Sequence, residues 1–318
     1  MKGMAFAGAL DVLGRAGYSF PRIAGTSAGA ITGALLAGLQ HAGEPITRLV
    51  DVAGTLDLSR ITDSGAVGRA LGPLHTLADA ASLLFQGGLY EGAYLRDWLA
   101  GTLADLGVRT FGDLRRTDPG SALPPEREYS LVVVTSDLSS HRMSLLPWDF
   151  EHYGISADDQ SVAEAVCASA AVPFLFEPVE LRGAAGTVSL VDGGLLSNYP
   201  IDLFDQPDRS ASRWPTIGIR LSARETTPAI SDPVDNVLEL SRALIQTALH
   251  GIDRRHIDDP ATVARTMFVD TAEIAAYDFD MTAEQTARLT ELGRTAARKF
   301  LRTKGDPLRR SPGNSLQG

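Results

Sequence analysis

Gly25-Thr26-Ser27-Ala28-Gly29 stands between a short apolar run and a helix-forming stretch. A serine held at a tight strand-to-helix turn projects its hydroxyl above a sheet, and flanking glycines give such a turn room. Far downstream, Asp192-Gly193-Gly194 closes a second apolar run, Val188-Ser189-Leu190-Val191. That arrangement puts a carboxylate at the C-terminal end of a strand, where open α/β sheets keep their sites. Taken singly, the serine motif also fits a plain glycine-rich turn, and Asp-Gly is a common turn dipeptide. Together they suggest ester cleavage with an aspartate as the base.

The pattern around the elbow predicts a helix over residues 4–15 that stops at Gly17, a strand over 22–24, and a helix over 28–39. This last helix carries Gly29 and Gly33 on one face. Each costs about 1 kcal/mol against alanine, a cost tolerated where a neighbouring backbone comes very close. The continuous β-branched run Leu131-Val132-Val133-Val134-Thr135 is the clearest buried strand. A partner strand is expected over 142–146, a helix over 161–171 ending at Pro173, and further strands over 216–221 and 266–269. Helices are expected over 234–251 and 282–302. Between 45 and 127 no strand is expected, and helical stretches over 68–85 and 93–106 read as a helical cap or insertion. Strands alternating with helices imply an α/β fold, a mainly parallel central sheet flanked by helices. No linker divides it, so residues 1–303 read as a single domain and 304–318 as a disordered tail.

The 318 residues are 44% hydrophobic and carry a net charge of −10. The apolar content suffices for a substantial core. The negative balance argues against a nucleic-acid partner and supplies no global attraction to an anionic membrane. The single cysteine, Cys167, excludes an intrachain disulfide and reads as a buried core thiol in a reducing compartment. His41, His75, His141 and His152 lack metal-ligand spacing, so no metal and no cofactor is expected. No apolar run reaches the roughly 18 residues of a membrane span. Residues 4–13 read as an amphipathic helix rather than a signal peptide, and a cytoplasmic location is expected.

A third segment joins the first two. Ala168-Ser169-Ala170-Ala171-Val172-Pro173 is followed by Phe174, Phe176 and Pro178, by the strand to Asp192-Gly193-Gly194, and by Asn198-Tyr199-Pro200. The order and spacing of these blocks resemble the patatin-like phospholipases across residues 1–303. Asp278-Phe279-Asp280-Met281-Thr282 and the helix after it also look like that family. The resemblance implies that Ser27 is the nucleophile and Asp192 the general base of a catalytic dyad. It also implies a phospholipid or lysophospholipid ester as substrate, an acyl-enzyme intermediate, and transient contact with a membrane or micelle surface. The Ala28 N–H, directly after the nucleophile, would be one oxyanion donor. The family's other donors come from a glycine-rich loop after a first strand. Met1-Lys2-Gly3 matches only the tail of that loop, with Gly3 as its last glycine. The first strand and glycine triplet are absent, which implies a start assigned too late or a truncated chain.

Two other readings remain open. His250 and His256 follow Asp192 in the serine, acid, histidine order of an α/β-hydrolase triad, although both stand among charged residues that suit a solvated surface. The incomplete loop also fits a catalytically impaired lipid-binding or scaffold protein of the same fold. The basic stretch from Arg288 to Arg310 could hold anionic headgroups. Alternatively it is a surface helix with Leu289, Leu292 and Ala296 against the core. Leu83, Leu84, Phe85, Leu89 and Tyr90 could line an acyl groove or pack the insertion.

Overall fold

The β-branched run at the centre of the chain becomes the spine of the sheet: β3 (Leu131–Asp137) is buried at every position. Four strands assemble on it or beside it, namely β1 (Ile23–Thr26), β4 (Arg142–Leu146), β6 (Val179–Gly183) and β7 (Gly186–Asp192). These coordinates are a computed structural model, which describes residues 2–62, 88–90, 92–118, 120–121, 123–205, 214–221, 247, 259–271 and 281–304. The helix expected over 68–85 and all but Thr247 of that expected over 234–251 fall outside the described residues, as do Leu83, Leu84, Phe85, His75, His250, His256 and nearly all of the 304–318 tail.

The α/β class holds, but the sheet is mixed rather than mainly parallel. β1 runs parallel to β3, whereas β3–β4, β3–β7 and β6–β7 are antiparallel. For β3–β4 and β6–β7 the cause is connection length. Residues 138–141 join β3 to β4, and only residues 184–185 join β6 to β7. Such short links close hairpins, whereas a parallel pair needs a long crossover. The span 45–127, expected to lack strands, contains β2 (Gly88–Tyr90), which pairs in parallel with β5 (Phe174–Phe176). A further parallel pair joins β8 (Gly218–Leu221) to β9 (Thr266–Val269).

Helices α1 (Gly3–Arg15), α2 (Ala28–His41), α3 (Ala93–Asp105), α4 (Val162–Ala170) and α5 (Ala283–Lys304) surround this frame. Leu131 and Val133 share one hydrophobic core with Leu35 and Leu39 of α2, Val166 of α4, and Leu95, Leu99 and Leu103 of α3. Burying each such side chain contributes about 1.5–3 kcal/mol. The segment expected as a cap therefore packs its helix into the same core as the sheet. The Ser161 hydroxyl caps α4 by accepting the Glu164 N–H at 3.2 Å. Thr282 and Gln285 form a reciprocal cap before α5. No helix among the described residues is long and apolar enough to cross a membrane.

The first and last helices cross with almost no space between their backbones. A Cβ on Gly8 would lie 2.8 Å from the Thr290 carbonyl carbon, and one on Gly293 would lie 2.9 Å from that of Ala5. Beside this crossing the buried Asp11 accepts from Arg15 Nε at 3.0 Å and from Arg294 Nε at 2.9 Å. Arg294 is thus tied inward, whereas Leu289 is buried and Leu292 and Ala296 pack beside it as the core-facing reading of this helix requires. Lys2 Nζ donates to the Thr271 carbonyl at 2.9 Å, and burial holds its pKa below the usual lysine value. Gly8→Ala should cost about 2 kcal/mol by overpacking. Gly101→Ala, in α3 with nothing within 4 Å, should be neutral or stabilising by up to about 1 kcal/mol. Urea unfolding midpoints of the two variants read the difference.

Candidate active site

The pairing register brings the two halves of the site together. β4 occupies one edge of β3 along residues 133–137. Both β1 and β7 therefore pair with the other edge, β1 over residues 131–134 and β7 over 135–137. They run toward each other and meet end to end: Thr26 lies opposite Val134, and Asp192 opposite Thr135. The residue after Thr26 is Ser27. Two side chains 165 positions apart in the chain thus arrive at one point because neighbouring residues of β3 hold their strands.

Ser27 adopts φ 54 and ψ −122, immediately before α2. A non-glycine residue in such a conformation costs about 1–3 kcal/mol and persists only where its surroundings dictate it. The turn is so tight that a Cβ on Gly25 would lie 2.5 Å from the Gly29 carbonyl carbon. The close backbone approach expected at Gly29 and Gly33 falls instead on Gly25. Gly29 supplies the backbone that presses on it, while its own Cβ position has only a ring carbon of Phe6 at 4.0 Å. At Gly33 a Cβ would meet Ile23 Cγ2 at 3.0 Å and Leu131 Cδ1 at 3.4 Å, so that glycine lets α2 lie close on the sheet.

Asp192 is buried, and the Ser27 hydroxyl lies near enough to its carboxylate to draw its pKa down. Its Oδ1 also accepts the Gly194 N–H at 2.7 Å. Burial outweighs these two neighbours and pushes the carboxyl up to about 6. Gly193 has no room for a side chain, since its Cβ would lie 2.6 Å from the Val134 carbonyl carbon. The Asp-Gly-Gly sequence therefore does two jobs: one glycine lets the turn pass under β3, and the next gives its N–H to the carboxylate.

Two helices begin at this point. Ala28 opens α2 and Gly3 opens α1, and a Cβ on Gly3 would lie 4.0 Å from both the Cβ and the carbonyl oxygen of Ala28. First-turn N–H groups have no acceptor within their own helix, and the helix dipoles add partial positive charge at the same ends. The arrangement suits an oxygen that becomes negative during a reaction. Three further bonds hold the elbow. Thr26 Oγ1 donates to the Ser197 carbonyl at 3.0 Å, the Ser27 N–H donates to Ser169 Oγ at 2.9 Å, and the Asp192 N–H donates to the Ala171 carbonyl at 2.8 Å.

Ser169 and Ser197 carry no individual role in the sequence reading. The small-residue block 168–171 marked the region, yet no local pattern shows which hydroxyl reaches which backbone. Cys167 is buried, and burial pushes its thiol up to about 12. That suits the inert core thiol expected of it. No group of three or more His, Cys, Asp or Glu residues that could hold a metal occurs among the described residues.

The chain is similar to known proteins along much of its length. The family described as "Patatin-like phospholipase" matches residues 1–205, a span that includes α1, the elbow, Ser169 and Asp192. The uncharacterized protein YqhO of Bacillus subtilis (strain 168) is 34% identical over 302 residues, covering 95% of this chain and 95% of its own.

Proposed function

The chain belongs to the patatin-like phospholipase family, and from that premise we propose that it is a serine lipid acyl hydrolase that works through a Ser27–Asp192 dyad. Its substrates are carboxylic esters of phospholipids or lysophospholipids. The observation that carries the reading is the strained elbow serine set beside a buried carboxylate, where β1 and β7 meet.

In the reaction Asp192 takes the proton of Ser27 as Oγ attacks the acyl carbonyl. The carbonyl oxygen becomes an oxyanion facing the N–H of Ala28, with the N–H of Gly3 beside it. Collapse of this intermediate expels the alcohol, which recovers the proton from Asp192, and leaves an acyl ester on Ser27. Water, deprotonated by Asp192, then attacks the acyl carbon, and release of the fatty acid returns the proton to Ser27. Burial is what makes an aspartate adequate here. A carboxylate with a pKa of about 6 is a stronger base than one near 3.9 and is still ionised at neutral pH. Leu196, an exposed apolar side chain four residues beyond Asp192, offers a contact for transient approach to a membrane or micelle.

A fluorophosphonate ester tests this directly. It should label Ser27 stoichiometrically, as read by peptide mass spectrometry, and the labelling rate should rise with pH through about 6, where Asp192 ionises. Absence of label on Ser27, or a midpoint near 7 that disappears with His250→Ala or His256→Ala, would exclude the dyad.

A further inference from the structure

Ser169 lies next to the last residue of α4 and is wholly buried. Its hydroxyl donates to the Val134 carbonyl at 2.7 Å, which commits the proton and turns a lone pair toward the Ser27 N–H, accepted at 2.9 Å. Two residues on, the carbonyl of Ala171 accepts the Asp192 N–H at 2.8 Å. One helix end therefore grips the backbone of the elbow serine, of the aspartate, and of the strand residue opposite Thr26.

We infer that Ser169 is a positioning residue that sets the geometry of the Ser27–Asp192 pair, an inference that rests on the dyad reading above. Because its proton is engaged by Val134, Ser169 is not itself a nucleophile. Its effect passes through the peptide plane between Thr26 and Ser27. Ser27 is held at φ 54 and ψ −122, a conformation that an L-residue leaves when its neighbours permit. Rotation of that peptide would swing Oγ off the Asp192 carboxylate. It would also tilt the following peptide, whose Ala28 N–H faces the developing oxyanion. The bond from Ser27 N–H to Ser169 Oγ opposes this rotation, and the bond from Asp192 N–H to Ala171 keeps the base in step with it. Removal of the hydroxyl strands the Ser27 N–H and the Val134 carbonyl in a buried place, and both are relieved by the same relaxation. A shift of about 1 Å at a reacting atom costs about 10²-fold in rate.

The test compares the full-length chain with Ser169→Ala, Ser169→Cys and a control, Ser144→Ala, on a chromogenic acyl ester. Ser144 is another wholly buried hydroxyl, on β4 at the edge of β3 opposite to β1 and β7, and bonded to Tyr153. Ser169→Ala should lower kcat by about 10²-fold while KM changes by less than about threefold, since the substrate site is kept but the reacting atoms are misaligned. Fluorophosphonate labelling of Ser27 should slow in parallel, and the pH midpoint should stay where it is because Asp192 remains buried. Ser169→Cys keeps a weaker donor and acceptor and should lose only about tenfold. Ser144→Ala should lose stability with kcat unchanged. Amide exchange at Ser27 should accelerate in Ser169→Ala and not in Ser144→Ala.

A kcat for Ser169→Ala within twofold of wild type, with Ser27 still labelled in both, overturns this inference and leaves the dyad standing. Equal loss of kcat in Ser144→Ala overturns it as well, because the effect is then general destabilisation. If Ser169→Ala does not fold, a wild-type kcat in Ser169→Cys is the overturning result. Turnover that survives Ser27→Ala removes the dyad reading, and this inference with it.

Discussion

Ser27→Ala is expected to lower turnover of a chromogenic acyl ester by about 10⁴-fold or more. Neither neighbouring hydroxyl among the described residues is placed to attack: Ser169 has spent its proton on Val134, and Thr26 has spent its own on Ser197. Stability should change little, because alanine inherits the strained backbone of the elbow at φ 54 and ψ −122. Ser27→Gly separates the two effects. It should be equally inactive, yet more stable than wild type by about 1 kcal/mol, since glycine accepts that conformation without a Cβ clash. Turnover and urea midpoints measured on both variants check the pair. A Gly variant no more stable than the Ala variant would mean that the turn does not strain Ser27.

The second large effect belongs to Asp192→Asn. Turnover should fall by about 10²–10⁴-fold, the range associated with removing a general base. An asparagine side chain can still accept the Gly194 N–H, but it then presents an amide donor to Ser27 and no longer a proton acceptor. Stability should move the other way. The folded-state carboxyl titrates at about 6 because burial disfavours its charge, against about 3.9 when unfolded. A group with a raised folded value contributes its stability fully below the unfolded value and loses it as the pH rises through the folded one. Wild type therefore carries a penalty of about 3 kcal/mol above pH 6 that asparagine lacks, at 1.36 kcal/mol per pKa unit. The variant should match wild type near pH 4 and exceed it by up to that amount at pH 8. Unfolding free energies at the two pH values measure the crossover, and a difference that does not vary with pH would place the charge of Asp192 in contact with water.

Legibility in the sequence followed the range of the forces involved. β3 and β9 stood out because a continuous apolar or β-branched run is buried wherever it lies in a sheet, and β4 (Arg142-Met143-Ser144-Leu145-Leu146) was legible as the partner strand after the Ser139-Ser140 turn. α1, α2 and α5 were readable from apolar periodicity and their glycine or threonine boundaries. The hairpin formed by β6 and β7 was absorbed into a single expected strand, because Val179-Glu180-Leu181-Arg182 is only half-buried and its turn is two residues long. β2 was invisible, being three residues whose pairing depends on β5, more than eighty positions away. The mainly parallel expectation failed for a related reason: side-chain pattern reports burial, not the direction of the neighbouring strand.

The glycines divide along the same line. Gly25 and Gly193 could be assigned to tight turns from local chemistry. That Gly8 and Gly293 are the crossing point of the first and last helices could not be, since nothing local distinguishes them from helix-weakening glycines elsewhere.

By itself, then, the sequence determined the chemical parts: a serine in a turn only glycines permit, an aspartate ending an apolar strand, and a small-residue block between them. These depend on backbone conformations and burial patterns set within a few residues. The tertiary structure alone decided their relations. It placed β1 and β7 nose to nose on one edge of β3, sank the Asp192 carboxyl far enough to raise its pKa, and brought Gly3 beside Ala28. It also turned the Ser169 hydroxyl onto the elbow. The physical reason is that distance, desolvation and hydrogen-bond partnership belong to pairs of segments, and no residue carries them until the chain has closed.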